Sequence, residues 1–98
     1  MTNTMNEKKL YIWRLARFLF SHHMTMSALE LADHLNRNDF LTGYKTQFSG
    51  GRGTYRLISA TYDWVAEDLG LNEEADCVAK AFVDQRGNYA YLKGREKP

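Results

Sequence analysis

Apolar residues recur at helical spacing over residues 8–22. Ile12, Leu15, Ala16 and Leu19 form one stripe, Tyr11, Trp13, Phe18 and Phe20 widen it, and Arg14, Arg17 and Ser21 share the other face. This pattern predicts a first helix. Ser27 and Glu30 announce a second, because in S-x-x-E spacing the serine hydroxyl caps free helix N–H groups and the glutamate reaches back to the serine amide. Ala28, Leu31, Ala32 and Leu35 then face a core, and "NRND" at 36–39 supplies polar stop residues. From 54 to 69, Ile58, Tyr62, Val65 and Leu69 sit one above another, with Leu57, Thr61, Trp64 and Ala66 flanking them and Gly70 as the stop. That is the third helix. Between the second and third, residues 38–53, "NDFLTGYKTQFSGGRG", hold four glycines and no sustained period, so a long basic loop is expected, with room for one extra helical turn at 40–44.

Residues 72–93 admit two readings. As strands, 77–83 and 89–93 are β-friendly, similar in length and joined by a glycine-containing turn at 84–88. As a helix, Asn72 caps "EEADCVAKAFVD", and Ala75, Val78, Ala79 and Phe82 fall at helical spacing. The hairpin is the preferred reading. The expected fold is therefore mainly α with a small β-hairpin (α+β): three helices in one domain over 1–98, with 1–6 and 94–98 frayed or disordered.

Composition narrows the class without changing the picture. With 98 residues, 44% apolar and 26% charged, the chain supports one modest core. No stretch approaches the roughly 20 apolar residues that cross a bilayer, so no membrane partner is expected. The start of the chain lacks the order of a signal peptide, and the single cysteine, Cys77, cannot close an intrachain disulfide. Cytoplasmic localisation is the expectation.

Charge changes the picture more. The net charge is only +1, yet it is unevenly spread: residues 1–56 carry +4, residues 57–84 carry −6 and residues 85–98 carry +3. If the two basic segments meet in the fold, they make one phosphate-facing surface with an acidic back. Arg52, Arg56, Ser59, Asp63 and Glu67 form the polar face of the third helix, basic at its start and acidic at its end. The helix dipole prefers the reverse, which suggests a partner for the arginines.

Three helices in order, a second helix reading S-x-x-E-L-A-x-x-L through Ser27, Glu30, Leu31, Ala32 and Leu35, and a terminal hairpin resemble the winged helix-turn-helix DNA-binding superfamily. The family usually joins its second and third helices by a short turn, whereas about sixteen residues intervene here. The resemblance implies a sequence-specific DNA-binding protein, a small transcriptional regulator, with the helix from 54 as recognition helix and the C-terminal hairpin as wing. Double-stranded DNA would then be met by Lys45 and Gln47 of the loop and by Arg52, Thr54, Tyr55, Arg56 and Ser59 around the helix start. Arg86 and Asn88 would meet it at the wing tip, and "SGGRGT" before the helix would offer backbone N–H groups to an anion. A homodimer is expected, because one module this small touches few base pairs. The alternative is a small adaptor or inhibitor that binds a protein partner through the acidic segment 63–76 and exposed aromatics.

The sequence offers little chemistry. His22, His23, His34 and Cys77 lack paired metal-ligand spacing, "GGRGT" lacks the frame and lysine of a P-loop, and Ser27 is accounted for by capping. No enzyme activity, metal or cofactor is expected.

Overall fold

The computed structural model describes residues 5–42, 45–48 and 52–95, apart from the side chains of Met5 and Arg52. The first helix, α1, runs Met5–Ser21 and buries Ile12, Ala16 and Leu19. Its expected flanks divide. Trp13 meets Trp64 edge to face at 6.0 Å and Tyr11 packs on Phe40 at 5.3 Å, but Phe18 and Phe20 stand in solvent, 54% and 48% exposed. Lys8 is the converse: its stem is buried and its ammonium lies 5.8 Å from the centre of the Phe48 ring. The helix ends without glycine. His23 adopts the left-handed region at φ 53°, the N–H of Met24 bonds back to Leu19 O at 2.8 Å and that of His23 to Phe20 O at 3.1 Å. This is a Schellman turn with histidine in the glycine position.

A two-residue strand, β1 (Met26–Ser27), leads into α2 (Ala28–Arg37). The predicted cap is present, with Ser27 Oγ accepting from the Glu30 N–H at 3.1 Å, and Ala28, Leu31, Ala32 and Leu35 are all buried. α2 closes as α1 does. Asp39 takes φ 62°, and the Phe40 N–H reaches Leu35 O at 3.0 Å. No helical turn follows over residues 40–42, and positions 43 and 44 of the extra turn expected there lie outside the described residues.

The third helix, α3 (Arg52–Asp63), continues into a wider π-helical stretch at Trp64–Asp68, so the apolar stripe predicted for 54–69 is one continuous element. Gly70, at φ 67°, terminates it as expected. Thr61 Oγ1 donates to Leu57 O at 2.7 Å just before the widening, a back-bond that competes with the ordinary ladder.

The tail corrects the preferred reading. Residues Asn72–Ala81 form a helix, α4, not a strand; Ala75, Val78, Ala79 and Phe82 are buried together while Asp76 and Lys80 are exposed. Three alanines in this stretch favour helix over strand, and the stripe finds its partners on α1 and α3. Leu71, not Asn72, occupies the capping position, and no side chain caps it. Only Phe82–Val83 is extended. This strand, β2, pairs in parallel with β1, Met26 opposite Phe82 and Ser27 opposite Val83. Of the predicted hairpin there remains one antiparallel bridge, Val83 to Tyr89. Residues after it form a short helix, α5 (Ala90–Lys93), where a second strand was expected. Phe82 is fully buried, which stabilises the junction of sheet and helices by about 3 kcal/mol.

The described chain is thus mainly helical, with more than three helices and a small parallel sheet. Among the described residues no helix is long and apolar enough to cross a membrane. Of the ends expected to be frayed, 1–6 and 94–98, Asn6 belongs to α1 and Gly94 packs on α3, and 1–4 and 96–98 lie outside the described residues.

Candidate nucleic-acid interface

Three of the residues expected to face DNA are inside the protein. Thr54, Tyr55 and Ser59 are 1%, 8% and 6% exposed, so they are not on offer to base edges or phosphates. α5 and the residues after it cover two of them. A Cβ built on Gly94 would meet Tyr55 O and Ser59 Cβ, and the Lys93 ammonium lies 5.0 Å from the centre of the Tyr55 ring. One turn on, Tyr62 stacks on Tyr91 at 4.6 Å, and Arg95 pairs with Asp63 while lying over both rings. Positions 55, 59 and 62 share one helical face, and that face is closed. The polar face assigned to α3 is correspondingly narrower: Ser59 is buried and Asp63 is engaged, which leaves Arg56 and Glu67 exposed.

Arg52 begins α3, but its side chain lies outside the described residues, as do 49–51 of the proposed anion-binding stretch. Lys45 and Gln47 are exposed on the loop, and the loop is anchored. Asn36 donates from Nδ2 to Phe48 O at 2.9 Å and accepts from the Phe48 N–H at 2.7 Å. This two-point clamp ties the loop to the end of α2 and seats the Phe48 ring in the core. Thr42 and Thr46 close the intervening turn through their hydroxyls. Thr42 and residues 45–48 are therefore held by local chemistry that the absence of sequence period concealed.

Arg86 and Asn88 are exposed at the turn, as expected, and the turn is built by Asp84. Its Oδ1 accepts from the N–H of Arg86 at 2.8 Å and of Asn88 at 2.9 Å, and its own N–H donates to Asn88 O at 2.8 Å. Gly87 takes φ 84°, which the turn requires and L side chains rarely adopt. The Asn88 N–H, followed by the Arg86 N–H and the positive charge of Lys93, holds the Asp84 carboxyl below its ordinary range.

The turn brings Arg86 and Asn88 together with Lys93 and Asp84 around a groove of about 440 Å³, next to a second hollow of about 380 Å³ that shares Asp84, Asn88 and Lys93. Lys93 is the residue that sequence reasoning missed. Its signal was its place in the basic C-terminal segment, but the expected strand at 89–93 did not aim it at α3. Among the described residues no carboxylate lies within ion-pair distance of Arg56, Arg86 or Lys93, whereas Arg17, Arg37 and Arg95 pair with Glu74, Asp33 and Asp63. The acidic segment 63–76 is partly consumed by these contacts; Glu67, Asp68, Glu73 and Asp76 stay exposed.

Cys77 is buried on α4, and burial, reinforced by the nearby Glu74 carboxylate, pushes its thiol above the ordinary range. That environment suits a packing residue rather than a nucleophile. Comparison with known protein families, curated proteins and solved structures finds no match for this chain.

Proposed function

We propose that this protein binds double-stranded DNA through its phosphates, as a small transcriptional regulator, using the 84–88 turn and the exposed cations beside α3. One observation carries the reading: Arg86 and Lys93, with Asn88, line a common groove, and neither cation has a carboxylate within ion-pair distance among the described residues. Asp84 lines the same groove and feels the Lys93 charge, but its Oδ1 is occupied by the turn N–H groups and two cations stand against it; a concave surface with that excess is suited to a phosphate, whose binding there releases condensed counterions. Lys93 lies over Tyr55 in the first turns of α3, and Arg56 is a further exposed cation of that helix. Contact is through backbone phosphates and the turn; Thr54, Tyr55 and Ser59 support α5 from below. A homodimer doubles the few contacts that one module makes.

The test is DNA affinity measured against salt concentration. Replacing Arg86 and Lys93 together by alanine should weaken binding at low salt and flatten the salt dependence by about two phosphate contacts. Failure of the unaltered protein to shift any duplex at low salt rejects the reading.

A second reading, a protein-binding adaptor, is favoured by Phe18, Phe20, Met24 and Leu29, large apolar side chains that are all about half exposed or more. Binding of that kind would change little with salt and would survive loss of Arg86 and Lys93.

A further inference from the structure

The groove at the 84–88 turn is chemically two-sided. One hollow is lined by Arg86 and Lys93, and the adjoining hollow, which shares Asp84, Asn88 and Lys93 with it, is walled by Tyr89, which is 43% exposed. The other tyrosine rings near α3 are already engaged: Tyr55 lies under Lys93, and Tyr62 and Tyr91 stack on each other. Among the described residues no ring or cation lies against Tyr89. Its main chain is pinned by the bridge to Val83, so the ring is an open surface on a fixed stem.

We propose that this groove accepts an unpaired nucleotide of a nucleic-acid strand, with the base on the Tyr89 ring and the phosphate between Arg86 and Lys93. The inference rests on the nucleic-acid reading above and names its substrate class. A phosphate alone would need only the cations. A base inside a duplex has both faces covered by its neighbours, so an aromatic wall next to paired cations is useful only toward a base out of the stack. The volumes agree, because hollows of about 440 and 380 Å³ sit at the lower end of small-ligand sites, roughly 300–1,000 Å³. Asp84 shares the groove. It lines both hollows and its Oδ1 is occupied by the two turn N–H groups, so a phosphate there depends on Arg86 and Lys93 together to outweigh its charge. A strand rather than a free nucleotide is the occupant, because the hollows are open to solvent, so the chain on either side of the bound nucleotide can run out of them.

The experiment compares the intact protein with Tyr89→Ala in fluorescence anisotropy. Its probes are a labelled single strand, the corresponding duplex, and that duplex carrying one extrahelical nucleotide. Tyr89 contributes only an exposed side chain, so the variant should keep its fold, checked by circular dichroism. The single strand and the interrupted duplex should bind more tightly than the perfect duplex. Tyr89→Ala should weaken binding of the first two by between about five- and one-hundredfold and leave the perfect duplex unchanged, and Tyr89→Trp should restore the loss. Equal affinity for all three probes, or no effect of Tyr89→Ala, overturns the unpaired-nucleotide site and leaves phosphate binding standing. A nucleoside monophosphate that displaces the strand as well as unlabelled strand does overturns the assignment to a strand. Absence of binding to every probe overturns both this inference and the reading beneath it.

Discussion

Gly94 and the carbonyl of Tyr55 approach so closely that a Cβ on Gly94 would overlap the oxygen. The clash is with main chain, which has no rotamer by which to yield. This contact lets α5 lie flat on α3, and through it Tyr55 and Ser59 are buried. Gly94→Ala should therefore lift the C-terminal segment and destabilise the protein by about 1–3 kcal/mol, read as a lower midpoint in urea unfolding. An unchanged midpoint would mean that α5 is not held at this distance.

Gly53 is the matching control, since it lies in α3, the helix on which Gly94 packs, and a Cβ there would meet nothing within 4 Å. Gly53→Ala should stabilise by about 0.5–1 kcal/mol, because alanine lowers unfolded-chain entropy in a helical position. Opposite signs for two glycine-to-alanine changes, measured by thermal unfolding, would separate packing from propensity.

The Asn36 clamp on Phe48 predicts a local effect with a global cost. Asn36→Ala removes a donor and an acceptor at once, and should destabilise by about 1–3 kcal/mol. Amide exchange should accelerate first at Thr46, Gln47 and Phe48. Uniform acceleration throughout the chain would show that the clamp does not hold the loop specifically.

The 84–88 turn should respond to acid. Asp84 has a folded-state pKa below its unfolded value, so its contribution is present above the unfolded pKa and is lost as pH falls through the folded one. The Arg86 and Asn88 amide resonances should therefore shift together in the acidic range, below the ordinary aspartate pKa. Asp84→Asn keeps an acceptor oxygen and should abolish that titration; an identical shift in the variant would assign it to another carboxyl.

Cys77 supplies a test of rigidity. Its thiol is buried on α4 and raised in pKa, so a thiol-specific reagent should label it only as fast as the helix opens. Immediate labelling of the native protein at mildly alkaline pH would place the thiol at the surface.

Short-range signals were legible without coordinates. Ser27 capping α2, the buried quartet from Ala28 to Leu35 and Gly70 ending the third helix depend on residues within a turn or two of each other. So did the existence of the 84–88 turn, which Asp84 and Gly87 build almost alone. The loop anchors were hidden because Asn36 and Phe48 act across a segment with no period.

What tertiary structure decided is of another kind. An apolar run such as 75–83 satisfies helix and strand alike until a neighbouring surface selects one, and here the faces of α1 and α3 select the helix. The parallel pairing of Met26–Ser27 with Phe82–Val83 joins segments from opposite ends of the chain, and no local pattern encodes a distant partner. The burial of Tyr55 and Ser59 follows from the same cause, because exposure of a helical face depends on what else in the chain comes to lie against it.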